Sequence, residues 1–491
     1  MRNTEFFSSR WALILAALGM AIGTGNIWRF PRIAAKNGGG AFIIAWIIFL
    51  FLWSIPLLIS EFAIGKKTRY GTIGAFAKLL GKKYTWMGGF IGFCTMAIMF
   101  YYSVVTGWCL KYFIAALGGS LVNVEGMAYW NQFSTSFYEP ILYHFISMGV
   151  GAFIIYRGVV KGIERATKIL IPSLLLLLIV ATIRALTLPG ALDGLNFLFH
   201  PQWRALANYK VWLEALSQSA WSTGAGWGLI LTYAVYLKQN EDIVLNSFIT
   251  GLGNNSASIF AGLAIFPAVF ALAPLLGLVA QDVVKITGPG NTGMTFIWIP
   301  QLFNQMKFGA FFTAVFFLAL SFAALSSLIA MIELATRICM DAGMPRKRAI
   351  VVVASTAFVL GIPSAVNMSF FENQDWAWGI GLMLSGFFIA FAVIKYGAAK
   401  FRTELVNSAG NDLNVGKWFE YFMKYLIPFE FVILIGWWFY QSITNFDPQG
   451  WWNPFHTFSM GTCLFQWGGV IGLFIVFNNW IYKKTIGKGS V

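Results

Sequence analysis

The fold is decided by a glycine-rich stretch midway along the first apolar run of the chain, GMAIGTGN at residues 19–26. A second stretch of this kind, STGAGWG at residues 222–228, lies midway along a later apolar run. Glycine tolerates non-helical backbone better than any other residue, so both stretches predict points where a helix is interrupted. The alternative is that these small residues only allow close helix packing in lipid.

The composition around the two stretches is that of a membrane protein. Of the 491 residues, 58% are hydrophobic and only 11% are charged, whereas soluble chains usually carry about 25% charged residues. The net charge of +15 does not indicate nucleic-acid binding, because the cations sit in short runs between apolar stretches. The four cysteines are scattered, which favours buried free thiols over a disulfide framework or a metal site.

Twelve apolar stretches are each about as long as the 20 residues that a helix needs to cross a bilayer. The predicted spans are 11–35, 40–64, 87–117, 141–156, 164–187, 211–237, 243–279, 307–340, 349–366, 375–399, 419–441 and 457–482. Lysine and arginine cluster in the loops 65–86 and 157–168 and after residue 340, and are missing from 118–140, 366–374 and 442–456. Positive loops stay in the cytoplasm, so both termini are predicted to be cytoplasmic.

The two interrupted spans occupy corresponding places in the chain. Each opens a set of five helices, and this odd number inverts the second set relative to the first. Interrupted helices at matching positions of two inverted halves indicate a substrate site near the middle of the membrane. The predicted fold is an all-α polytopic membrane protein with 12 transmembrane helices, an inverted 5+5 repeat and two C-terminal helices. Its predicted parts are a cytoplasmic N-terminus 1–10, the repeats 11–187 and 211–399, helices 11 and 12 in 419–482, and a cytoplasmic C-terminus 483–491.

Several short motifs carry a resemblance to a known family. GNIWRFP at residues 25–31, followed by NGGGAF at 37–42, resembles the first-helix signature of the neurotransmitter:sodium symporter family. Further matches, in the expected order, are KGIER at 161–165, DGLNF at 193–197 and AALSS at 323–327. The last two helices match by position only. The resemblance implies a LeuT-like fold and a symporter that couples inward sodium flow to uptake of amino acids or related amines.

The resemblance implies two sodium sites. Sodium prefers about five or six hard oxygen ligands, and neutral oxygens serve well. The first site falls on Ala21, Asn26, Ser222 and Asn254, completed by the carboxylate of the substrate, and the second on the carbonyls of Gly19, Ile22 and Ala323 with the hydroxyls of Ser326 and Ser327. The shared carboxylate would make sodium and substrate raise each other's affinity. The alternative for the two serines is hydrogen bonding back to their own helix.

The family's substrate site also maps onto this chain. The substrate carboxylate would meet the N–H of Gly25 and the hydroxyl of Tyr102, which could otherwise be a packing aromatic. Related monoamine carriers have an aspartate where this chain has Gly23, so an amino acid is favoured. The predicted substrate-binding residues are Ala21, Thr24, Gly25, Ile98, Tyr102, Trp221, Ser222, Gly224, Trp227, Ser327 and Met331. Two tryptophans shrink the pocket and glycines enlarge it, so the size of the substrate stays open.

The resemblance also assigns gates and a support. Arg29 and Asp375 correspond to an extracellular gate pair, although Arg29 could instead extend to the membrane surface. Asp341 matches an inner gate carboxylate, and Arg2 is the nearest, offset candidate for its partner. Glu61 matches a carboxylate that holds the interrupted sixth helix.

Chloride dependence is a further hypothesis. Many prokaryotic members have an acidic residue where this chain has Ser258, and chloride-dependent members have serine there. The candidate anion site is Trp46, Gln218, Ser222, Asn254 and Ser258.

The sequence therefore predicts a sodium-coupled importer of a neutral amino acid that works by alternating access. Alternatives of the same fold are a proton-coupled or uncoupled carrier and an amino-acid sensor that does not transport. In such carriers a lysine commonly takes the place of the second sodium. Sodium is favoured here because no lysine occurs in the eighth-helix match or in the core of the fifth helix. An enzyme is disfavoured, because the three histidines show no metal-ligand spacing. The expected setting is a bacterial inner membrane, as a monomer or homodimer in lipid, with no glycosylation sequon in the loop 118–140.

Overall fold

The computed structural model describes residues 5–407 and 411–486. These residues form helices joined by turns, with one isolated β-bridge between Gly39 and Pro201. Arg2, the candidate inner-gate partner, lies outside the described residues, as do residues 1–4 of the predicted N-terminal segment 1–10 and residues 487–491 of the predicted C-terminal segment 483–491. The predicted all-helical architecture is therefore found throughout the described part of the chain.

Nine helices in the described ranges are long and apolar enough to cross a membrane. They are Gly40–Thr68, Lys82–Leu117, Tyr138–Tyr156, Val159–Leu186, Ile243–Leu276, Gly309–Asp341, Arg346–Val366, Met368–Tyr396 and Trp418–Phe446. Two bent pairs raise this number to 11 if each pair is one span: Arg10–Ala21 with Gly25–Lys36, bent by 51°, and Met460–Val476 with Asn478–Thr485, bent by 63°.

The predicted count of 12 spans is not confirmed by these lengths. The stretch predicted as the sixth span, 211–237, is divided between Tyr209–Ser222 and Leu229–Ala234, each too short to cross a bilayer alone. The last predicted span, 457–482, is also less regular than expected, because it bends sharply after Val476.

The first interruption falls where the sequence places it. Helix Arg10–Ala21 is capped by the Ser9 hydroxyl and ends at Ile22, whose backbone is extended with φ −80° and ψ 96°. The chain resumes as a wide, π-helical turn at Gly25–Arg29 and continues through Phe30–Lys36. Several backbone polar groups around residues 22–25 are thereby released from helical hydrogen bonding.

The second interruption consists of residues between Ser222 and Leu229. Gly224, Gly226 and Gly228 have φ values of 70°, 87° and 78°, a left-handed region that disfavours every residue with a side chain. At Gly226 there is also no room, because a Cβ atom would lie 2.6 Å from Cα of Gly386. Both the backbone conformation and the packing therefore require glycine at this position.

The spans differ in how deeply they lie in the molecule. In Gly309–Asp341, 83% of the apolar window is buried, against 28% in Trp418–Phe446. The first of these helices is therefore central, and the second is largely exposed to lipid. Shorter helices that connect the spans are Thr72–Leu80, Gly126–Ser134, Ala191–Phe199, Ile299–Phe303 and Ala398–Phe401.

Candidate functional site

A cavity of about 560 Å³ lies between the two interrupted helices and extends to Lys36 and Trp437. All 11 residues that the sequence predicts to bind substrate line it: Ala21, Thr24, Gly25, Ile98, Tyr102, Trp221, Ser222, Gly224, Trp227, Ser327 and Met331. The fold therefore gathers residues from four separate stretches of sequence around one space.

The floor of the cavity is built on the first interruption. The N–H of Thr24 donates to the Tyr102 hydroxyl at 3.2 Å, and the Thr24 hydroxyl lies 3.3 Å from the same oxygen. No atom lies within 4 Å of where a Cβ atom of Gly25 would be, so this backbone faces open space. A Cβ atom on Gly23 would instead lie 2.8 Å from Oγ of Ser327. An aspartate at position 23 would not fit without moving Ser327.

Two tryptophans form an aromatic wall beside the second interruption. Trp221 and Trp227 pack edge to face with ring centroids 6.1 Å apart, and the indole N–H of Trp227 donates to the carbonyl of Ala220 at 3.4 Å. The Trp221 ring occupies the space that any side chain at Gly379 would need. The guanidinium of Arg29 lies 4.7 Å from the ring centre of Trp221, a cation–π contact.

The predicted first sodium site is a cluster of oxygens. The Oδ1 atom of Asn254 lies 3.0 Å from the carbonyl oxygens of both Ala21 and Ser222. A hard cation would satisfy these three oxygens together. A half-turn of the Asn254 amide would also satisfy them, since its nitrogen would then donate to both carbonyls. The oxygens present therefore fit sodium, and a competing hydrogen-bonded arrangement exists.

Asn26 differs from its expected role as an oxygen ligand. Its Oδ1 accepts the N–H of Gly23 at 2.9 Å, and its Nδ2 faces the cluster, 3.0 Å from the carbonyl of Asn254 and 2.8 Å from Oγ of Ser258. The physical reason is the interruption itself, which leaves the N–H of Gly23 in need of an acceptor. Asn26 would have to turn its amide to place an oxygen on a cation.

The predicted second sodium site joins the first interruption to the central helix. The hydroxyl of Ser326 lies 3.0 Å from the carbonyl of Ala323 and 3.4 Å from that of Ile22. The hydroxyl of Ser327 lies 3.5 Å from the carbonyl of Gly19 and 3.2 Å from that of Met20, which was not predicted as a ligand. The five predicted oxygens therefore form two contact groups at one helix interface, Ser326 with Ile22 and Ala323, and Ser327 with Gly19. Only the Ser326 contact to Ala323 is the bond back to its own helix that the alternative predicts.

The candidate anion site contains buried donors. Trp46 and Gln218 are fully buried, and neither the indole N–H nor the side-chain amide has a hydrogen-bond partner among the described residues. Ser258 is buried as well and accepts from Asn26 at 2.8 Å. Buried donors without acceptors are unfavourable, and a chloride ion would satisfy them. The residues present therefore fit an anion.

The predicted outer gate pair is separated. Arg29 and Asp375 both line the cavity, but their charged groups form no ion pair within 4.0 Å. Arg29 instead lies against Trp221, with Nη2 3.5 Å from the hydroxyl of Ser217. The cavity is therefore not closed by this pair in the structure.

At the other end, Asp341 has a partner that the sequence analysis missed. Its carboxylate lies 2.9 Å from Nη2 of Arg337, one turn earlier on the same helix, and accepts the N–H of Gly71 at 2.6 Å. The spacing of four residues between the two charges was a signal that could have identified this pair. Arg32 and Lys36 also line the cavity and were missed. They lie three and seven residues after Arg29, a spacing that places cations on one helix face.

Glu61 supports the second interruption through backbone hydrogen bonds. Its carboxylate is fully buried and accepts the N–H of Gly226 at 2.5 Å and that of Leu231 at 3.1 Å. The first of these lies in the non-helical segment and the second in the first turn of Leu229–Ala234. A carboxylate here satisfies donors that the interruption leaves without helical partners.

Comparisons with known proteins agree with this architecture. An uncharacterized sodium-dependent transporter of Methanocaldococcus jannaschii is 32% identical over 449 residues, covering 86% of this chain and 88% of that protein. A second one, from Bacillus subtilis, is 31% identical over 450 residues and covers 87% and 96%. The crystal structure of MhsT in complex with L-phenylalanine matches with a TM-score of 0.76 and 31% identity, over 88% of this chain and 98% of MhsT.

The match to MhsT confirms the predicted LeuT-like fold. Residues 4–140 and 139–485 match the family described as the sodium:neurotransmitter symporter family, which covers nearly the whole chain. Its members are transporters and not enzymes, they span the membrane several times, and they use sodium to bind and move a small substrate. The chain belongs to the sodium:neurotransmitter symporter family.

Proposed function

We propose that this sodium-dependent symporter imports a neutral amino acid by alternating access. The observation that carries the proposal is the meeting of two interrupted helices at one cavity, with an oxygen cluster on each side of the first interruption. Interrupted helices offer free backbone groups to both a carboxylate and a cation, which are the charged species of this transport reaction. MhsT, which matches over nearly the same length, is a structure with bound L-phenylalanine.

The substrate is proposed to be an amino acid with an uncharged side chain. Its carboxylate would be bound by the N–H of Gly25, which opens the half-helix Gly25–Lys36, and by the hydroxyl of Tyr102. The apolar wall of Ile98, Trp227 and Met331 would receive the side chain. These three residues offer no charged group that could pair with a charged side chain.

Two sodium ions are proposed as co-transported cargo. One ion would lie beside the substrate carboxylate, held by Ala21, Ser222, Asn254 and, once its amide turns, Asn26. The other sodium ion would be held by Gly19, Ile22, Ala323, Ser326 and Ser327. The second set links the first half-helix to the central helix, so an ion there would oppose their separation.

Chloride is proposed as a further requirement. The buried donors of Trp46 and Gln218, with Ser222, Asn254 and Ser258, would supply the anion site. Replacing external chloride by gluconate is expected to lower uptake at least tenfold. Uptake that stays the same in gluconate would remove chloride from the mechanism and leave the two sodium sites intact.

The proposed orientation places both termini in the cytoplasm of a bacterial cell, in the plasma membrane. Residues 11–187 and 211–399 are proposed as the two inverted repeats, and 419–482 as the helices added to them. In this orientation the separated pair Arg29 and Asp375 lies at the extracellular mouth of the cavity.

The test is uptake of the 20 amino acids by purified protein in liposomes, with an inward sodium gradient or with potassium replacing sodium. Sodium-dependent accumulation of a neutral amino acid is expected. Ser327→Ala should abolish it, because Ser327 reaches the carbonyl of Gly19 across the helix interface. Ser321→Ala is the matched control, since that buried hydroxyl only bonds back to Phe317 in the same helix.

The possible outcomes separate the alternatives. Accumulation that is indifferent to sodium would contradict the proposal and show that both oxygen clusters are structural. Binding of an amino acid without any flux would indicate a sensor. Equal losses in Ser327→Ala and Ser321→Ala would mean that helix packing, and not an ion site, explains the effect.

A further inference from the structure

A carboxyl group lies buried near the middle of a peripheral span, away from the site described above. Glu430 belongs to Trp418–Phe446 and is only 4% exposed, although that span is the least buried of the nine. It lies on the inward face of its helix, where Ile427, Leu434 and Trp437 are also buried. The side chain is therefore enclosed by protein at membrane depth.

Glu430 has no polar partner in the described part of the chain. Neither carboxyl oxygen forms a hydrogen bond, and no ion pair includes the residue. The elements packed against its helix are Leu50–Ser54, Tyr209–Ser222 and Met368–Tyr396. The first has no titratable group, and the titratable groups of the other two are Tyr209, Lys210, Glu214, Glu372, Asp375, Lys395 and Tyr396. Within the described residues, no hydrogen bond or ion pair joins any of them to Glu430.

This environment decides the charge of the group. An ionised carboxylate that is buried without a cation or a donor is strongly disfavoured, and the bilayer around it adds to the effect. The neutral acid avoids most of this penalty because it carries no net charge. Other carboxylates of the molecule show the contrast. Glu61 accepts two backbone N–H groups, and Glu420, on the same span as Glu430, is paired with Arg402 at 2.8 Å.

Glu430 is connected to the second interruption by direct packing. The next residue, Phe431, stacks on Phe387 with ring centroids 4.6 Å apart. Phe387 follows Gly386, whose Cα atom occupies the space beside Gly226. A shift of the peripheral helix would therefore reach the non-helical segment through two contacts.

We propose that Glu430 is a proton-binding site and that the transporter is active only while this proton is bound. The proton is taken from water and released to water, and no other group is consumed. Release at alkaline pH leaves a charge that draws water or a cation between the helix of Glu430 and Met368–Tyr396. The Phe431–Phe387 stack is then displaced, and with it the support of Gly226. This site is separate from the substrate and sodium sites proposed above.

The direct test is infrared spectroscopy of the full-length protein in liposomes across a range of pH. At neutral pH we expect a carbonyl-stretch band of a protonated carboxylic acid that is absent in Glu430→Gln and disappears from the wild type at alkaline pH. Glu420→Gln is the matched control and should retain the band, because its carboxylate is ion-paired. A spectrum that is unchanged in Glu430→Gln would overturn the proposal. This readout needs no transport, so it stands apart from the proposed function.

The functional test is the pH profile of sodium-driven uptake, which rests on the proposed function. Above the pH at which the infrared band disappears, wild-type uptake should fall about tenfold per pH unit, as the protonated fraction does. Glu430→Gln should stay within twofold over the same range. Parallel profiles would overturn the proposed role of the proton. A Glu430→Gln protein that does not fold would overturn it as well, because the carboxamide is a neutral analogue of the protonated acid.

Discussion

At the scale of single residues, Gly23 and Gly25 lie two positions apart but face different surroundings. A methyl group on Gly23 would lie 2.8 Å from Oγ of Ser327 and 3.0 Å from the hydroxyl of Tyr102, whereas one on Gly25 would meet nothing within 4 Å. The first glycine therefore makes room for an oxygen of the proposed second sodium site. The second keeps backbone accessible to the cavity.

These surroundings predict a separation of effects. Gly23→Ala should weaken sodium binding in the absence of substrate by about tenfold, or ~1.4 kcal/mol, because Ser327 must move. Gly25→Ala should leave that binding unchanged and weaken amino-acid binding, because its methyl group enters the cavity. Sodium-dependent thermal stabilisation of the purified variants, with and without amino acid, measures both effects. Equal sodium affinities in the two variants would contradict the prediction.

Gly226 allows a second prediction at this scale. Gly226→Ala imposes a left-handed backbone on alanine, which costs about 1–2 kcal/mol, and overpacking against Gly386, which costs a further ~1–3 kcal/mol. Gly277→Ala is the matched control, since Gly277 has φ 72° but no atom within 4 Å of a Cβ position. Thermal unfolding should show a drop in midpoint that is at least twice as large for Gly226→Ala. Equal drops would mean that Gly386 moves aside without any loss of stability.

At the scale of elements, the second interruption depends on one carboxylate. Glu61→Gln replaces one of two acceptor oxygens by a donor, so either Gly226 or Leu231 loses its partner. Leaving a buried donor unsatisfied costs about 1–3 kcal/mol. Hydrogen exchange at residues 224–231 should therefore accelerate by roughly 5–150-fold in Glu61→Gln. Glu139→Gln, which changes a carboxylate paired with Lys111 in another helix, should leave this exchange unchanged.

The interruptions themselves could be predicted because clustered glycines within an apolar stretch indicate non-helical backbone. GMAIGTGN and STGAGWG both fall where the helices break, and the residues predicted to bind substrate all line one cavity. The bend after Val476 was not predicted, since the nearest glycine, Gly472, lies a full turn before it and no proline is nearby. The orientation of the Asn26 side-chain amide could not be predicted either, because it depends on which backbone N–H group the interruption leaves without a helical partner.

Ion pairs were predicted less well than backbone features. For Asp341 the sequence offered Arg2, which lies outside the described residues, and it did not predict the pair with Arg337 on the same helix. Charged side chains are long and pair with whichever opposite charge lies near them in space. Sequence spacing predicts such a pair only when both residues are on the same helix. The separation of Arg29 from Asp375 depends on the conformation of the whole molecule, and no local pattern encodes it.

At the scale of the whole molecule, the N-terminal segment is fastened to several helices while the opposite mouth is open. The contacts are those of Glu5 with Val159, Phe7 with Tyr236, Ser8 with Glu164, Lys238 with Ser8 and Arg10 with Asp412. Glu164 is central among them. It accepts the N–H of Ser8 at 3.0 Å and its hydroxyl as well, and it pairs with Lys168 at 2.6 Å.

These fastenings predict how the conformational balance can be shifted. Glu164→Gln should weaken the attachment of the segment by ~1–2 kcal/mol, and so favour opening at this end by roughly 5–30-fold. A cysteine at Ala12, which is buried in the first helix, would report opening through its rate of labelling by a soluble maleimide in a cysteine-free background. Glu404→Gln, at a carboxylate that accepts a hydrogen bond from the Tyr396 hydroxyl, should leave the labelling rate unchanged. Identical rates in the two variants would show that Glu164 does not hold this end closed.

The cavity of about 560 Å³ has a further consequence. A cavity needs only about 10–15 Å³ of such space to hold one water, so this one accommodates many of them. An amino acid fills only part of that volume, so closure around it must return many of these waters to the bulk. Transport is then coupled to the activity of water as well as to sodium. An osmolyte too large to enter the cavity lowers the activity of water and so favours the closed state. The apparent affinity for amino acid should therefore rise with the concentration of that osmolyte.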